Sequence, residues 1–171
     1  MDEMDSPMDS SGGGGQSPPM TPAEARQRAL GWLARREHSE QELRRKLARL
    51  DCPAPVIDAV AAELVAEGLL SDERFAEMLS RTRFGRGFGP ARVRAELRQK
   101  GVDEDTIAAY AKLGQAQMLR QAREALKKRF GSLPARDLKG RAQRARFLAY
   151  KGFPADVIFR VLDADDGEGC D

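Results

Sequence analysis

One segment of this chain occurs twice. Leu97, Lys100, Gly101, Val102, Asp105 and Ile107 are matched at identical offsets, 51 residues later, by Leu148, Lys151, Gly152, Phe153, Asp156 and Ile158. Each copy reads as the end of one helix, a glycine suited to a left-handed backbone, and the start of another helix. A weaker echo lies upstream, where Leu43 and Lys46 fall 54 residues before Leu97 and Lys100, and a longer turn with Pro53 and Pro55 replaces the glycine. A unit of about 50 residues buries too little surface to stand alone, so units of this size are expected to pack end to end. The expected fold is all-α: three tandem three-helix repeats packed into an elongated curved rod, with disordered termini.

The helix signals fill in that frame. Thr21, Pro22 and Glu24 offer an N-cap, a proline at the first helical position and a capping-box carboxylate. Ala29, Trp32 and Leu33 follow at helical spacing. Ser39 and Glu42 read as a second capping box ahead of Leu43, Leu47 and Leu50. Val56, Ile57, Val60, Ala61, Leu64 and Val65 form an apolar stripe closed by Gly68, with Leu69 placed to fold back on the last turn. In the second group Ser71 caps a helix carrying Phe75, Met78 and Leu79. A glycine-rich loop at 84–89 follows, then a helix from Pro90 with Val93 and Leu97, and another opened by Asp103 with Ile107 and Tyr110. The third group holds a long helix from Gln115 to about Arg129, one started by Pro134, and a last one with Val157, Ile158, Val161 and Leu162. The repeats are placed at 21–70, 71–113 and 114–163. Residues 1–20, acidic and glycine-rich, and the acidic tail 164–171 are expected to be disordered because they hold too little apolar surface to offset chain entropy.

A formal net charge of +2 conceals an asymmetry. Nine of the 27 acidic residues, and none of the 29 lysines and arginines, lie in 1–20 and 163–171, which leaves residues 21–162 at +11. A basic body between acidic ends suggests a polyanionic partner. Residues 81–100 carry seven bases against Glu96, and residues 120–151 carry eleven against Glu124 and Asp137. Arginine forks bind phosphate in bidentate fashion, and a stripe of them follows a nucleic-acid backbone without reading bases. The candidate contacts are Arg86, Arg92, Arg94, Arg98 and Lys100 in the first stretch and Lys127, Lys128, Arg141 and Arg144 in the second. Phe84 and Phe88, on either side of Arg86, suit stacking on bases or anchoring the loop to a core. An acidic protein surface would select the same basic residues.

Signs of catalysis are sparse. The single histidine, His38, reads as a surface loop residue with no serine or cysteine at a suggestive spacing. Gly85, Gly87 and Gly89 follow a helical pattern, which rejects a dinucleotide fingerprint, and a phosphate loop of the G-x-x-x-x-G-K-[ST] kind is missing. Cys52 and Cys170 have neither metal-ligand spacing nor the setting of a structural disulfide. The chain is therefore expected to be non-enzymatic, with no cofactor and no metal. Neither a secretory signal nor an apolar run near the ~18 residues of a membrane helix is present, so no membrane contact and a cytoplasmic location are expected.

Two runs resemble a known family. Leu69-Leu70-Ser71-Asp72-Glu73-Arg74-Phe75-Ala76, followed by Gly87, Gly89-Pro90, Arg92-Val93, Glu96-Leu97 and Lys100-Gly101-Val102, is similar to the central signature of the RecX family. Ser39, Glu42-Leu43 and Lys46-Leu47 resemble its first repeat. The likeness spans residues 22–162 and is densest in the middle repeat. It implies a cytoplasmic, tandem-repeat modulator of homologous recombination and DNA repair. Such a protein binds along the groove of the RecA filament, touches RecA and single- or double-stranded DNA, and suppresses ATPase and strand exchange. The alternative from the residues is a helix-turn-helix regulator that binds duplex DNA.

Overall fold

The computed structural model describes residues 18–132 and 137–167. Among these residues all regular structure is helical: α1 (Pro22–Leu33), α2 (Glu40–Ala48), α3 (Ala54–Ala66), α4 (Asp72–Gly85), α5 (Pro90–Gln99), α6 (Glu104–Tyr110), α7 (Gln115–Phe130), α8 (Leu138–Lys151) and α9 (Ala155–Gly167). They fall into three modules. Helix pairs in extensive contact lie within α1–α3, α4–α6 or α7–α9. Each triplet has its own apolar cluster: around Leu43, Leu47, Val60 and Leu64; around Phe75, Val93, Leu97 and Ile107; and around Ala122, Leu126, Leu148 and Val157.

Local chemistry explains most helix ends. The Thr21 hydroxyl accepts from the Glu24 amide at 3.3 Å, and Glu24 Oε2 accepts from the Thr21 amide at 2.8 Å, which completes the expected capping box. At α2 only half of the expected box forms. Ser39 Oγ accepts from the Glu42 amide, but Glu42 turns away to take both arms of Arg36 at 3.0 and 2.8 Å. The turn after α3 follows Gly68, with φ +70°, yet Leu70 is the residue that folds back: it is buried, whereas Leu69 is exposed.

The repeat register differs from the expected one in the first module. Cys52, Val102 and Phe153 donate their amides to the carbonyls of Leu47, Leu97 and Leu148, at 3.1–3.3 Å. Each follows a residue in the left-handed region: Asp51 (φ 56°), Gly101 (φ 78°) and Gly152 (φ 93°). Leu47, not Leu43, is thus the counterpart of Leu97. An aspartate tolerates the conformation that glycine otherwise supplies, so the missing glycine concealed the match.

The ends differ from expectation where they are described. Met20, assigned to the disordered extension, packs on the first core. Helix α9 runs through Asp163 to Gly167, into the segment assigned to the tail. Residues 1–17 and 168–171, and the helix start expected at Pro134, lie outside the described residues; α8 is capped instead by Asp137, whose Oδ1 accepts from the Gly140 amide at 3.2 Å.

Candidate functional site

The modules join by one recurring device. The start of a second helix in one module rests on the turn between the second and third helices of the next. At the first junction Ser39, the N-cap of α2, donates its hydroxyl to the Lys100 carbonyl at 2.7 Å, and Asp72 accepts from the Glu40 amide at 2.7 Å. At the second, the amides of Gly89 and Ala91 donate to the carbonyls of Lys151 and Gly152 at 2.8 and 3.1 Å. Gly89 has no side chain to cap α5, and Pro90 has no amide hydrogen. The end of α8 therefore supplies the acceptors that the first turn of α5 lacks, positive helix end against negative.

These junctions need bare backbone. A Cβ on Gly101 would stand 2.6 Å from Gln41, and one on Gly89 would stand 2.3 Å from the Gly152 carbonyl oxygen. The Lys-Gly pairs of the internal repeat are thus docking turns.

Charged groups gather at both junctions, but in different states. At the first they are paired. Glu42, little exposed, meets Arg36 and also Lys100 Nζ at 3.4 Å. Burial opposes its ionised form; the Arg36 hydrogen bonds and the charges of Arg36 and Lys100 outweigh burial and hold its carboxyl at about 2. At the second junction the cations are largely uncommitted. Arg86 at the end of α4, Arg92 on α5 and Lys128 on α7 are exposed and form no ion pair among the described residues. The Arg92 guanidinium lies 5.2 Å from the Tyr150 ring centroid, and Lys151 Nζ lies 4.4 Å from that of Phe88.

Two clefts flank Arg86. One, of about 680 Å³, is lined by Arg83, Arg86, Phe88, Arg92, Glu96 and Lys100 among others. There Arg83 and Glu96 neutralise each other through a bidentate pair at 2.7 and 2.6 Å, whose hydrogen bonds hold Glu96 below the usual carboxylate range. The other, of about 370 Å³, opens between the second and third modules and includes Phe84, Arg86, Gln121, Lys128, Phe147 and Lys151.

The nine basic residues singled out in the sequence separate accordingly. Arg86, Arg92 and Lys128 converge on the second junction, and Lys127 is exposed beside Lys128. Arg94 is exposed and reaches the Ala111 carbonyl at 3.2 Å. Arg98 is held by Glu104, with one arm at 2.9 Å, and Lys100 by Glu42. Arg141 pairs with Asp163. Arg144 is 8% exposed, with its guanidinium 5.6 Å from the Phe130 ring centroid, so it belongs to the third core and not to an outer face. It sits four residues before Leu148, where Leu43 and Val93 precede Leu47 and Leu97. The i, i+3 spacing of Arg141 and Arg144 placed them together; the long stem of arginine lets it fill an apolar slot. His38 is likewise buried, at 2% exposure, and is not a surface residue.

Gln121, Arg129, Phe147 and Lys151, outside the nine candidates, also wall the smaller cleft. The repeated Lys-Gly pair was a signal for Lys151. Nothing in spacing marked Gln121. Among the described residues no grouping of His, Cys, Asp and Glu could hold a metal ion, and no helix is long and apolar enough to cross a membrane.

Comparison with known proteins matches this three-module plan. Residues 25–64, 71–110 and 115–162 match the first, second and third three-helix domains of RecX. Regulatory protein RecX of Pseudomonas entomophila (strain L48) is 38% identical over 146 residues, covering 85% of this chain and 94% of that protein. Its counterpart in Stenotrophomonas maltophilia (strain R551-3) is 42% identical over 142 residues, covering 82% and 87%. A crystal structure of regulatory protein RecX superposes with a TM-score of 0.72 at 25% identity, over 83% of this chain and 71% of that one. The crystal structure of RecX from Lactobacillus salivarius shares the fold at the same TM-score. Three modules in the same order, and relatives matched over nearly their whole length, establish that the chain belongs to the RecX family.

Proposed function

We propose that the chain is a non-enzymatic regulator of a RecA recombinase, lying along the RecA–DNA filament and suppressing its ATP turnover and strand exchange. The observation that carries this reading is the convergence of uncommitted cations, Arg86, Arg92 and Lys128, at the junction of the second and third modules. Polyanionic surfaces draw such groups by charge and bidentate hydrogen bonding. A row of modules, each touching the next, suits contact with several successive subunits of a helical polymer. A protein that spans neighbouring subunits restrains the rearrangements that accompany ATP turnover. Arg94 and Lys127 extend the basic face; Arg98, Lys100 and Arg141 would join it by exchanging their carboxylate partners.

The alternative, a helix-turn-helix reader of duplex DNA, finds less support. In that motif the last helix of each trihelical unit enters the major groove. Here α3 carries Asp58 and Glu63 and no base, and α6 carries Glu104 and Asp105 and no base. Acidic helices are repelled by phosphate.

The test is the single-strand-dependent ATPase of a RecA recombinase titrated with this protein. Suppression is expected well below one molecule per RecA subunit. Arg86→Glu combined with Arg92→Glu should raise the amount needed about tenfold or more, equivalent to ~1.4 kcal/mol of lost binding, with helical circular dichroism unchanged. Undiminished suppression by that variant would remove the basic face from the reading, and no suppression at any ratio by the native chain would overturn it.

A further inference from the structure

The smaller cleft has a composition that a charged face alone does not require. Its volume of about 370 Å³ falls within the ~300–1,000 Å³ typical of small-molecule sites. Its walls come from two modules: Phe84, Gly85, Arg86 and Gly87 from the end of α4 and its turn, the rest from α7 and α8. Three kinds of group meet there. Phe147, half-buried, contributes aromatic surface, and Phe84, otherwise packed in the second core, contributes an edge. Arg86, Lys128, Arg129 and Lys151 contribute four positive charges against one acid, Glu124. Gln121 contributes an amide whose Oε1 is buried with no hydrogen-bond partner among the described residues.

A buried amide oxygen without a partner is unfavourable, and it becomes favourable when the side chain turns into the cleft and its oxygen meets a ligand's donor. Glutamine pairs with the edges of nucleobases through its amide oxygen and nitrogen together. Aromatic faces take bases by stacking, and cations at the rim take phosphate. An acidic peptide would use the cations but would leave the aromatic surface and the amide without a role. We propose that the cleft between α4, α7 and α8 binds one nucleotide unit: a base turned in toward Gln121 and the phenylalanines, and its phosphate at Arg86, Lys128 and Arg129. The unit could come from a single strand or from a free nucleotide, which share this chemistry. The inference rests on reading the basic face as a nucleic-acid contact and adds a site that holds a base.

The cleft lies between modules, so an occupant also ties the second module to the third. Glycines at 85 and 87 leave the α4 turn open. A Cβ at either would meet nothing within 4 Å; the left-handed backbone at Gly87 (φ +76°) favours glycine there in any case, but the small size of Gly85 is not required by packing within the protein. It leaves room for a ligand at the wall.

The test uses the full chain labelled with ¹⁵N, with 5′-dTMP and a short oligothymidylate as separate probes. Either probe is expected to shift the Gln121 side-chain amide signals and the backbone amides of Gly85, Gly87 and Ala125. Shifts with the oligonucleotide alone assign the unit to a strand; shifts with both assign it to nucleotides in general. Gln121→Leu keeps the bulk of the side chain and removes its amide, and should weaken binding about tenfold. Lys128→Glu should weaken it further, whereas Arg120→Glu, an equal charge change on α7 outside the cleft, should weaken it much less. Thermal melts of each variant report folding. Equal binding by Gln121→Leu and the native chain, shifts confined to other residues, or equal shifts with polyglutamate would each overturn the proposal. Suppression of RecA ATPase without binding of either probe would remove this site and leave the filament reading standing. Binding at Gln121 without any effect on RecA would do the reverse.

Discussion

His38 shows how one buried residue can set a pH response. Its Nδ1 lies 3.0 Å from the Arg36 carbonyl and therefore donates to it, which leaves Nε2 to accept from Lys46 Nζ at 3.0 Å. The Lys46 ammonium in turn sits 4.8 Å from the Trp32 ring centroid. Burial, assisted by the charges of Arg36 and Lys46, holds the His38 pKa below its ordinary value, so the imidazole is neutral in the fold. As pH falls the unfolded chain protonates first. The stability that His38 contributes is thus present above about pH 6.5 and declines below it. His38→Gln keeps an acceptor for Lys46, and should flatten the dependence of melting temperature on pH between about pH 7 and about pH 5. Glu42 acts in the same direction at lower pH: held at about 2 in the fold, it contributes stability that is complete above about pH 4.5 and lost as pH falls toward its folded value. Its replacement by glutamine should remove that acid-range loss and leave Arg36 without its partner. A different single-residue effect is expected at Gly31 in α1, where a Cβ would meet nothing within 4 Å. Gly31→Ala should stabilise the protein by ~0.5–1 kcal/mol, read by denaturant titration, because alanine loses less backbone freedom in a helix.

The elements are coupled through their ends. Helix α5 begins without a side-chain cap and finds its acceptors on the last turn of α8. Gly89→Ala places a methyl against the Gly152 carbonyl without any backbone conformational penalty, since Gly89 has φ −86°. That substitution should separate the second and third modules, costing ~1–3 kcal/mol while leaving the helices formed. Faster hydrogen exchange at the Gly89 and Ala91 amides would report it, with Gly114→Ala, where space is open, as the control. Equal exchange in both variants would mean that the junction adapts. In the first module Asp51 takes the left-handed position that Gly101 and Gly152 hold in the other two.

On the scale of the whole molecule, three clusters are joined by two narrow junctions and do not merge into one core. Repeat arrays of this kind can open module by module. Leu148→Ala removes a fully buried side chain from the third cluster and should cost ~2–5 kcal/mol there. Hydrogen exchange should then quicken across α7–α9 far more than across α1–α3. Uniform quickening through the chain would indicate a single cooperative unit. The same architecture couples the outer modules through the middle one, which touches both neighbours.

Local rules made a large part of this protein legible. Capping residues, apolar spacing and the Leu-Lys-Gly repeat located the helices, their grouping in threes and the basic body, because each of these depends on neighbours within a few residues of chain. What they could not decide is which charges are free. Arg86 and Arg98 look alike in sequence; one has no ion pair among the described residues and lines a cleft, and the other is closed off by Glu104 across a turn. Arg144 and His38 read as surface groups from the sequence and are buried, Arg144 against Phe130 in the third core and His38 against Arg36 and Lys46. Gln121 carries no local signal, since its isolation arises only where α7 meets α4 and α8. Secondary structure follows from short-range sterics and hydrogen bonding. Burial, ion pairing and the cleft follow from long-range packing, which the order of residues alone does not display.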